Sequence, residues 1–149
     1  MSKLMMVGMT DTGMVREHNE DCLVTLPSQG VAILADGMGG HQAGEVASAI
    51  AVEQVAHHLT ESFMTHHKAR RKTLDGRTYE ALVAIEAVHK ANGAIHEAAR
   101  ERPERAGMGT TIVVAIFHGN EVTFAHVGDS RAYRLRDGTL EQVTEDHSM

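Results

Sequence analysis

The chain has 149 residues, of which 42% are hydrophobic and only 3% aromatic, and its formal net charge is −6. This length suffices for one domain with a packed core, and the negative charge argues against nucleic acid as the main ligand, because phosphate backbones require clustered Lys and Arg. No apolar run approaches the length of a membrane span, so no membrane partner is expected, and a single cysteine excludes an internal disulfide, which favours a reducing, cytoplasmic compartment.

A strand and then a hairpin are predicted near the start of the chain. Leu4–Thr10 is the first candidate strand, and Leu23–Leu26 and Val31–Ala35 are two further apolar runs. Pro27 and Gly30 lie between those two runs and supply turn chemistry, which predicts a hairpin. Because Val31–Ala35 is continuously apolar, we expect that strand to be buried on both faces.

Two amphipathic helices are predicted in the middle of the chain. Apolar residues recur there at three- and four-residue spacing, which places them on one face of each helix. Asp75-Gly76 marks the break between the helices, and Pro103 ends the second because proline cannot continue a helix. The first helix is expected to open at Gly44-Glu45, with the carboxylate near the positive end of the dipole. The two apolar stripes are Ala47, Ile50, Ala51, Val55, Leu59 and Phe63, and Ala84, Val88, Ala91, Ile95 and Ala98.

The last part of the chain changes to a strand pattern. Strands are predicted over Thr110–Phe117, Glu121–Val127, Arg131–Arg136 and Thr139–Val143. The link Asp137-Gly138 is a strong signal for a tight hairpin. Strands, then two long helices, then an antiparallel meander indicate an α+β layered fold.

Acidic residues occur at the ends of the predicted strands and in the loops beside them. Glu20-Asp21 precedes the first run of the hairpin, Asp36-Gly37 follows the second, and Asp129 lies in a Gly-Asp-Ser link. A rigid sheet can aim such carboxylates at one point, and oxygen ligands suit Mg²⁺ or Mn²⁺ rather than zinc. Arg16, just before the acidic pair, supplies a planar fork for a phosphate. Together these residues are suited to phosphate-ester hydrolysis.

Each of these signals also has an ordinary structural explanation. An Asp-Gly pair after a strand is usually only a turn, and an acidic pair before a strand is usually a solvated loop. Cys22 is not the nucleophile of a cysteine phosphatase, because no arginine stands six residues after it. The glycine-rich stretch fails the dinucleotide pattern at Gln42. The pairs His57-His58 and His66-His67 and the basic run 68–72 are interpreted as polar surface.

Taken in order, the motifs resemble those of the protein phosphatase 2C family of metal-dependent serine/threonine phosphatases. The resemblance extends over nearly the whole chain, and the Asp-Gly-Met-Gly-Gly form is similar to that of bacterial members. Several motifs in the family's order are hard to obtain by chance. The matching stretches are Arg16-x-x-Asn19-Glu20-Asp21, Asp36-Gly37-Met38-Gly39-Gly40-His41-x-x-Gly44-Glu45-x-Ala47-Ser48, Gly109-Thr110-Thr111, Val127-Gly128-Asp129-Ser130-Arg131 and Thr144-x-Asp146-His147-Ser148.

The resemblance implies a fold and a reaction. The fold is a four-layer α-β-β-α sandwich of two antiparallel sheets flanked by helices, incomplete here at the C-terminus. The reaction is hydrolysis of phosphoserine or phosphothreonine by water or hydroxide held between two Mn²⁺ or Mg²⁺ ions, without a phosphoenzyme. Arg16 would grip the substrate phosphate.

The resemblance also implies the ligands of the metal ions. Asp36 would bridge the two ions, and the carbonyl of Gly37 would ligate one of them. Glu20 and Asp21 would bind the second ion directly or through its waters. Asp129 would contribute to a third, weaker metal site found in some members. The implied partners are phosphorylated proteins and the signalling serine/threonine kinases that phosphorylate them.

Two departures from the family pattern limit these expectations. Some members carry a histidine as general acid directly after the Asp-Gly pair, where this chain has Met38, so the acid is left unassigned. Further metal-binding aspartates of the family lie beyond the position that matches Met149. The chain is therefore interpreted as one phosphatase-like domain over residues 1–149, truncated before those motifs, that alone binds metal poorly and turns over slowly or not at all.

Two other functions stay open from the sequence. A phosphatase-like domain with an incomplete metal set could bind or regulate a phosphoprotein without catalysis. A nucleotide or sugar-phosphate hydrolase could use the same carboxylates. Substrate profiling separates the second from a protein phosphatase.

Overall fold

The computed structural model describes residues 3–66 and 75–148, without the side chain of His66. The basic run 68–72 and His67, both interpreted above as polar surface, lie outside the described residues. In the described ranges, no helix is both long enough and apolar enough to cross a membrane.

The predicted hairpin is confirmed. Strand β1, Asp21–Leu26, pairs with strand β2, Val31–Met38, in antiparallel register. The turn is closed by the Gly30 N–H, which donates to the Pro27 carbonyl at 3.2 Å. Gly30 has a φ of 74°, a left-handed conformation that glycine adopts without a Cβ clash.

Three more strands complete a five-stranded antiparallel sheet in which the order is β1-β2-β4-β5. They are β3 (Gly109–Thr110) and β4 (Ile112–His118), which both pair with β2, and β5 (Glu121–Val127), which pairs with β4. The strand predicted to run unbroken over Thr110–Phe117 is wrong at one residue. Thr111 interrupts it, because its side chain bonds to the backbone of the neighbouring strand β2.

The last two strands leave this sheet. Strand β6, Tyr133–Arg136, and strand β7, Thr139–Gln142, pair only with each other in a second antiparallel sheet. The continuous meander predicted from the sequence is therefore split after β5, because residues 128–132 bond to other segments rather than to β5. The α+β class with two antiparallel sheets is confirmed.

Both predicted helices are present; the first begins beside the predicted opening at Gly44-Glu45, and the second ends just before Pro103. Helix α1 covers Ala43–His66 with Glu45 in its first turn, and helix α2 covers Tyr79–Glu101. The Thr78 side chain caps α2 by accepting the Ala81 N–H at 3.1 Å, which satisfies one of the free donors of the first turn. A short 3₁₀ helix at Pro103–Arg105 follows the end of α2.

The core lies between the two helices and one face of the five-stranded sheet. Val31, Ile33 and Ala35 of β2 face it and are no more than 2% exposed, whereas Leu34, on the opposite face, is 37% exposed. The prediction that β2 is buried on both faces is therefore wrong. The alternation arises because the helices cover only one side of the sheet within the described ranges.

The predicted first strand, Leu4–Thr10, is also wrong. Residues 3–10 have no strand pairing, although the apolar residues Val7 and Met9 are two positions apart, as on one face of a strand. A Cβ added to Gly8 would lie 2.5 Å from Leu23 Cδ1, so this segment packs against a side chain of β1 without pairing with it. Val7 is 88% exposed, which leaves its side chain little packing to define a strand.

Helix α2 offers a stabilising substitution at Gly93. This residue lies inside the helix, and a Cβ added there meets nothing within 4 Å. Gly93→Ala is expected to stabilise the fold by about 1 kcal/mol, because glycine in a helix interior loses more backbone entropy than alanine. Urea unfolding measures the gain. Gly76→Ala is the matched control, because that site is equally open but has a φ of 84° and should lose about 1 kcal/mol.

Candidate metal centre

Two aspartates face each other across the end of the hairpin. Asp21 of β1 and Asp36 of β2 are direct register partners. The alternation along β2 places Asp36 on the face opposite the core residues Ala35 and Ile33. Like charges directly opposite on paired strands repel each other, so this arrangement favours a cation or a shared proton between the two carboxyl groups.

Neighbouring charges perturb Asp36. Its partial burial raises the pKa of the carboxyl above the ordinary value of 3.8, and the contact with Asp21 raises this pKa further. Weaker contributions in the same direction come from the charges of Asp129 and Glu20. The structure therefore brings all four predicted carboxylates into one electrostatic neighbourhood, although they come from separate parts of the chain.

The loop before β1 is held by Asn19. Its side-chain amide donates to Thr10 Oγ1 at 2.7 Å, and its side-chain carbonyl accepts the Asp21 N–H at 3.0 Å. Asp11 accepts the Gly13 N–H at 2.7 Å in the same loop. These bonds fold residues 10–21 back toward the hairpin, so that the acidic pair and Arg16 belong to one short, bonded segment.

A polar cavity of about 210 Å³ lies over the aspartate pair. The predicted phosphate ligand Arg16 lines it together with Asp36. The sequence motifs missed three lining residues, Asp11, Thr12 and His18, although His18 stands inside the Arg16-to-Asp21 motif. The full lining is Asp11, Thr12, Arg16, His18, Asn19, Glu20, Asp21 and Asp36.

His18 connects this cavity to the start of α1. Its Nε2 accepts from the Gln42 amide at 3.1 Å, and its Nδ1 lies 3.7 Å from Glu45 Oε1. Gln42 has a φ of 63°, so the turn before the helix is in a left-handed conformation. These contacts fix the orientation of the imidazole at the rim of the site.

Two glycines allow the strand and helix to meet at Glu20. A Cβ on Gly37 would overlap the carbonyl oxygen of Gly44 and lie 3.0 Å from the Glu20 carbonyl oxygen. The Gly37 N–H donates to that same Glu20 carbonyl at 3.0 Å. A Cβ on Gly44 would lie 2.7 Å from Glu20 Oε2, so the carboxylate lies over the first turn of α1, where the helix dipole favours negative charge.

The donor atoms of this site fit hard divalent cations. In proteins, Mg²⁺ and Mn²⁺ bind carboxylate oxygens, backbone carbonyl oxygens and water molecules. Among the residues at 3–66 and 75–148, no three His, Cys, Asp or Glu side chains already meet as a ligand group. The fit therefore rests on the oxygen donors and on the mutual repulsion of Asp21 and Asp36, which a bound cation would relieve.

The alternatives to this site find little support. Cys22 packs partly against the core, and burial raises the pKa of its thiol, which disfavours a nucleophilic thiolate. His57 and His58 point to different surroundings, since the first lies 3.4 Å from Glu61 and the second 3.0 Å from Glu86. Neither histidine lines the cavity over the aspartate pair.

Comparisons with known proteins agree with these observations. The family model described as protein phosphatase 2C matches residues 15–149. The serine/threonine phosphatase stp of Listeria welshimeri is 40% identical over 143 residues, which cover 94% of this chain and 53% of that protein. The serine/threonine protein phosphatase PstP of Mycobacterium tuberculosis is 39% identical over 138 residues, which cover 92% of this chain and 24% of that protein.

Solved structures give the same result. The crystal structure of the Mycobacterium tuberculosis phosphatase PstP/Ppp superposes with a TM-score of 0.75 at 38% identity, covering 91% of this chain and 52% of that one. The PstP catalytic domain in complex with two manganese ions superposes with a TM-score of 0.74, covering 91% and 53%. The chain thus spans about half the length of these solved chains and of the Listeria relative. The resemblance drawn from the motifs is confirmed, and the chain belongs to the protein phosphatase 2C family.

Proposed function

We propose that this chain supplies the N-terminal, metal-binding part of a Mn²⁺- or Mg²⁺-dependent phosphatase that hydrolyses phosphoserine and phosphothreonine in proteins. The observation that carries the proposal is the pairing of Asp21 with Asp36 beneath a cavity that Arg16 also lines. Carboxylates for cations beside a guanidinium for phosphate are the components that metal-assisted phosphoryl hydrolysis requires. The Mn²⁺ ions bound by the similar PstP catalytic domain support the choice of metal.

The proposed metal ligands all come from the carboxylate neighbourhood. Asp36 would bridge two ions, with the Gly37 carbonyl on one of them and Glu20 and Asp21 on the other, directly or through water. Asp129 would contribute to a third ion. Divalent cations at such positions supply a water of lowered pKa and stabilise charge on phosphoryl oxygens.

Arg16 is the proposed phosphate ligand. Its guanidinium can donate two parallel hydrogen bonds to two phosphoryl oxygens, which fixes the phosphate as well as attracting it. Its presence in the lining of the same cavity as Glu20, Asp21 and Asp36 supports this role. The general acid stays unassigned, since the residue after Asp36-Gly37 is Met38, which is 50% exposed and carries no ionisable proton.

The proposed setting follows from this chemistry. The substrates would be phosphoproteins made by serine/threonine kinases, and the reaction would take place in the cytoplasm, where the unpaired Cys22 thiol stays reduced. Because the chain spans about half of the solved catalytic chains, we infer that residues 1–149 form part of one catalytic domain. Full activity would then need further ligands from beyond these residues.

The test compares the natural gene product that contains these residues in Mn²⁺, in EDTA and as Asp36→Asn, with a phosphothreonine peptide as substrate. Both EDTA and the substitution are expected to lower kcat/KM by at least about 100-fold, since a metal ion contributes several kcal/mol of charge stabilisation. The matched control is Asp137→Asn, in the exposed β6–β7 turn. Equal hydrolysis under all conditions, or a preference for nucleotides or sugar phosphates, contradicts the proposal.

A second candidate function is a phosphoprotein-binding module without turnover. It is favoured by the absence of a preassembled group of three ligands in the described ranges. Under this proposal the natural gene product that contains these residues would bind a phosphothreonine peptide through Arg16 and release no phosphate, with or without Mn²⁺. Peptide binding by fluorescence anisotropy, combined with a phosphate-release assay on the same sample, separates the two functions.

A further inference from the structure

The loop that carries Asp129 is tied to the strand that carries Asp36 by one buried hydroxyl. Thr111 is 7% exposed and stands in the break between β3 and β4. Its Oγ1 accepts the Asp36 N–H at 3.1 Å, and its own N–H donates to the Asp36 carbonyl at 3.0 Å. The same Oγ1 lies 2.6 Å from Ser130 Oγ. A single side chain therefore contacts both the backbone of Asp36 and the residue next to Asp129.

His147 holds the other side of this loop. The Gly128 N–H donates to His147 Nδ1 at 3.1 Å, and the His147 N–H donates to the Gly128 carbonyl at 3.1 Å. The imidazole also stacks on His126, with ring centroids 4.6 Å apart. Gly128 has a φ of 104°, and a Cβ there would lie 2.7 Å from Thr111 Cγ2. The loop is thus fitted between Thr111 and His147, with no room for a side chain at Gly128.

The residues after the loop are bonded to the same C-terminal segment. Arg131 forms a bidentate pair with Asp146 through bonds of 2.9 and 2.7 Å. The Ala132 N–H donates to Thr144 Oγ1 at 3.1 Å. Among the described residues, none forms a hydrogen bond or an ion pair with the Asp129 carboxylate. Both neighbours of Asp129 are therefore held in place while its own carboxylate stays available.

We propose that His147 and Thr111 are positioning residues that hold loop 128–130 so that Asp129 presents its carboxylate to the aspartate pair. The proposal rests on the metal-binding function proposed above. The two side chains act on opposite ends of the loop and touch no metal-binding carboxylate themselves. The contribution of His147 should therefore appear only in binding that depends on Asp129, whereas Thr111 also holds the backbone of Asp36.

A double-mutant cycle on the 149-residue chain tests the proposal by calorimetric Mn²⁺ titration. His147→Ala is expected to weaken the Asp129-dependent binding by between about 10- and 100-fold, the range typical of residues that orient metal ligands. The same substitution made together with Asp129→Asn should weaken binding no further. His147→Asn should restore most of the affinity, since its side-chain carbonyl can accept the Gly128 N–H in place of Nδ1.

A metal-free measurement accompanies the cycle. In EDTA, hydrogen exchange of the Gly128 amide should speed up in His147→Ala and stay slow in His147→Asn. If His147→Ala does not fold, Ser130→Ala replaces it, because it removes the hydroxyl that bonds loop 128–130 to Thr111 and leaves the bonds of Thr111 to Asp36 in place.

The outcomes separate the two proposals. Equal loss of affinity with and without Asp129, or unchanged Gly128 exchange in His147→Ala, overturns the positioning role while the metal site stands. If the unsubstituted chain binds no Mn²⁺, the cycle is run on the natural gene product that contains it. Failure of that protein to bind Mn²⁺ refutes the metal-binding function and the positioning role with it. Loss confined to the background that retains Asp129, reversed by asparagine at position 147, supports the proposal.

Discussion

Asp36→Asn is expected to remove Mn²⁺ binding by this chain and, in the absence of metal, to stabilise its fold. The loss of affinity should exceed about 100-fold, because this change removes a proposed ligand itself and not merely a residue that orients one. The gain in stability at neutral pH should reach up to about 1 kcal/mol, since the substitution removes one charge of a like-charged cross-strand pair. Substitution of an aspartate with only a structural role would not lower the Mn²⁺ affinity and raise the metal-free stability together.

The pH dependence of the stability gain follows from the pKa of Asp36. Burial and the contact with Asp21 raise this pKa above its ordinary value of 3.8. The metal-free fold therefore loses stability as pH rises from 3.8 through the raised pKa of Asp36 in the folded state, and the loss persists at neutral pH. The advantage of Asp36→Asn over the unsubstituted chain should be present at pH 7 and vanish as pH falls below 3.8.

Two measurements check this prediction. Urea unfolding in EDTA at several pH values gives the free energy of unfolding, and Mn²⁺ calorimetry gives the affinity. Asp137→Asn is the matched control, because its φ of 50° is a conformation that asparagine accepts, and it should alter neither quantity. Unchanged Mn²⁺ affinity in Asp36→Asn would exclude Asp36 as a metal ligand.

Much of the site could be predicted from local sequence signals. Pro27 and Gly30 fix the turn, so Leu26 pairs with Val31, and counting away from the turn along both strands places Asp21 opposite Asp36. The aspartate pair is thus a consequence of turn length and strand register. The start of α1 and the end of α2 are equally local, since Gly44-Glu45 and Pro103 decide them within a few residues.

The contacts that sequence reasoning missed are those made over long distances along the chain. The bond from Asp36 to Thr111 joins residues 75 positions apart, and the bond from Gly128 to His147 joins residues 19 positions apart. No periodicity or turn signal reports such contacts. The wrong prediction of a strand over Leu4–Thr10 has a related cause, because a strand also needs a partner edge, which alternation alone does not supply.

Gly37→Ala is expected to destabilise the fold by about 3 kcal/mol, at the upper end of the range for overpacking. The added Cβ would overlap the Gly44 carbonyl oxygen and approach the Glu20 carbonyl oxygen at 3.0 Å. Both obstacles are backbone atoms, so no side-chain rotation can relieve the clash. Strand β2 would have to move away from the start of helix α1 and from Glu20, and the second movement weakens the bond from the Gly37 N–H to the Glu20 carbonyl.

Gly40→Ala is the matched control for this prediction, because it lies in the same glycine-rich turn, meets nothing within 4 Å and has no left-handed φ. Its free energy of unfolding should stay within about 0.5 kcal/mol of the unsubstituted chain, as for most exposed positions. Urea unfolding of both variants measures the difference, and Mn²⁺ affinity should fall only in Gly37→Ala. If the two glycines tolerate alanine equally well, then the close contact between Gly37 and Gly44 does not hold the acidic loop against the helix. The position of Glu20 would then depend on the bonds within its own loop and not on this contact.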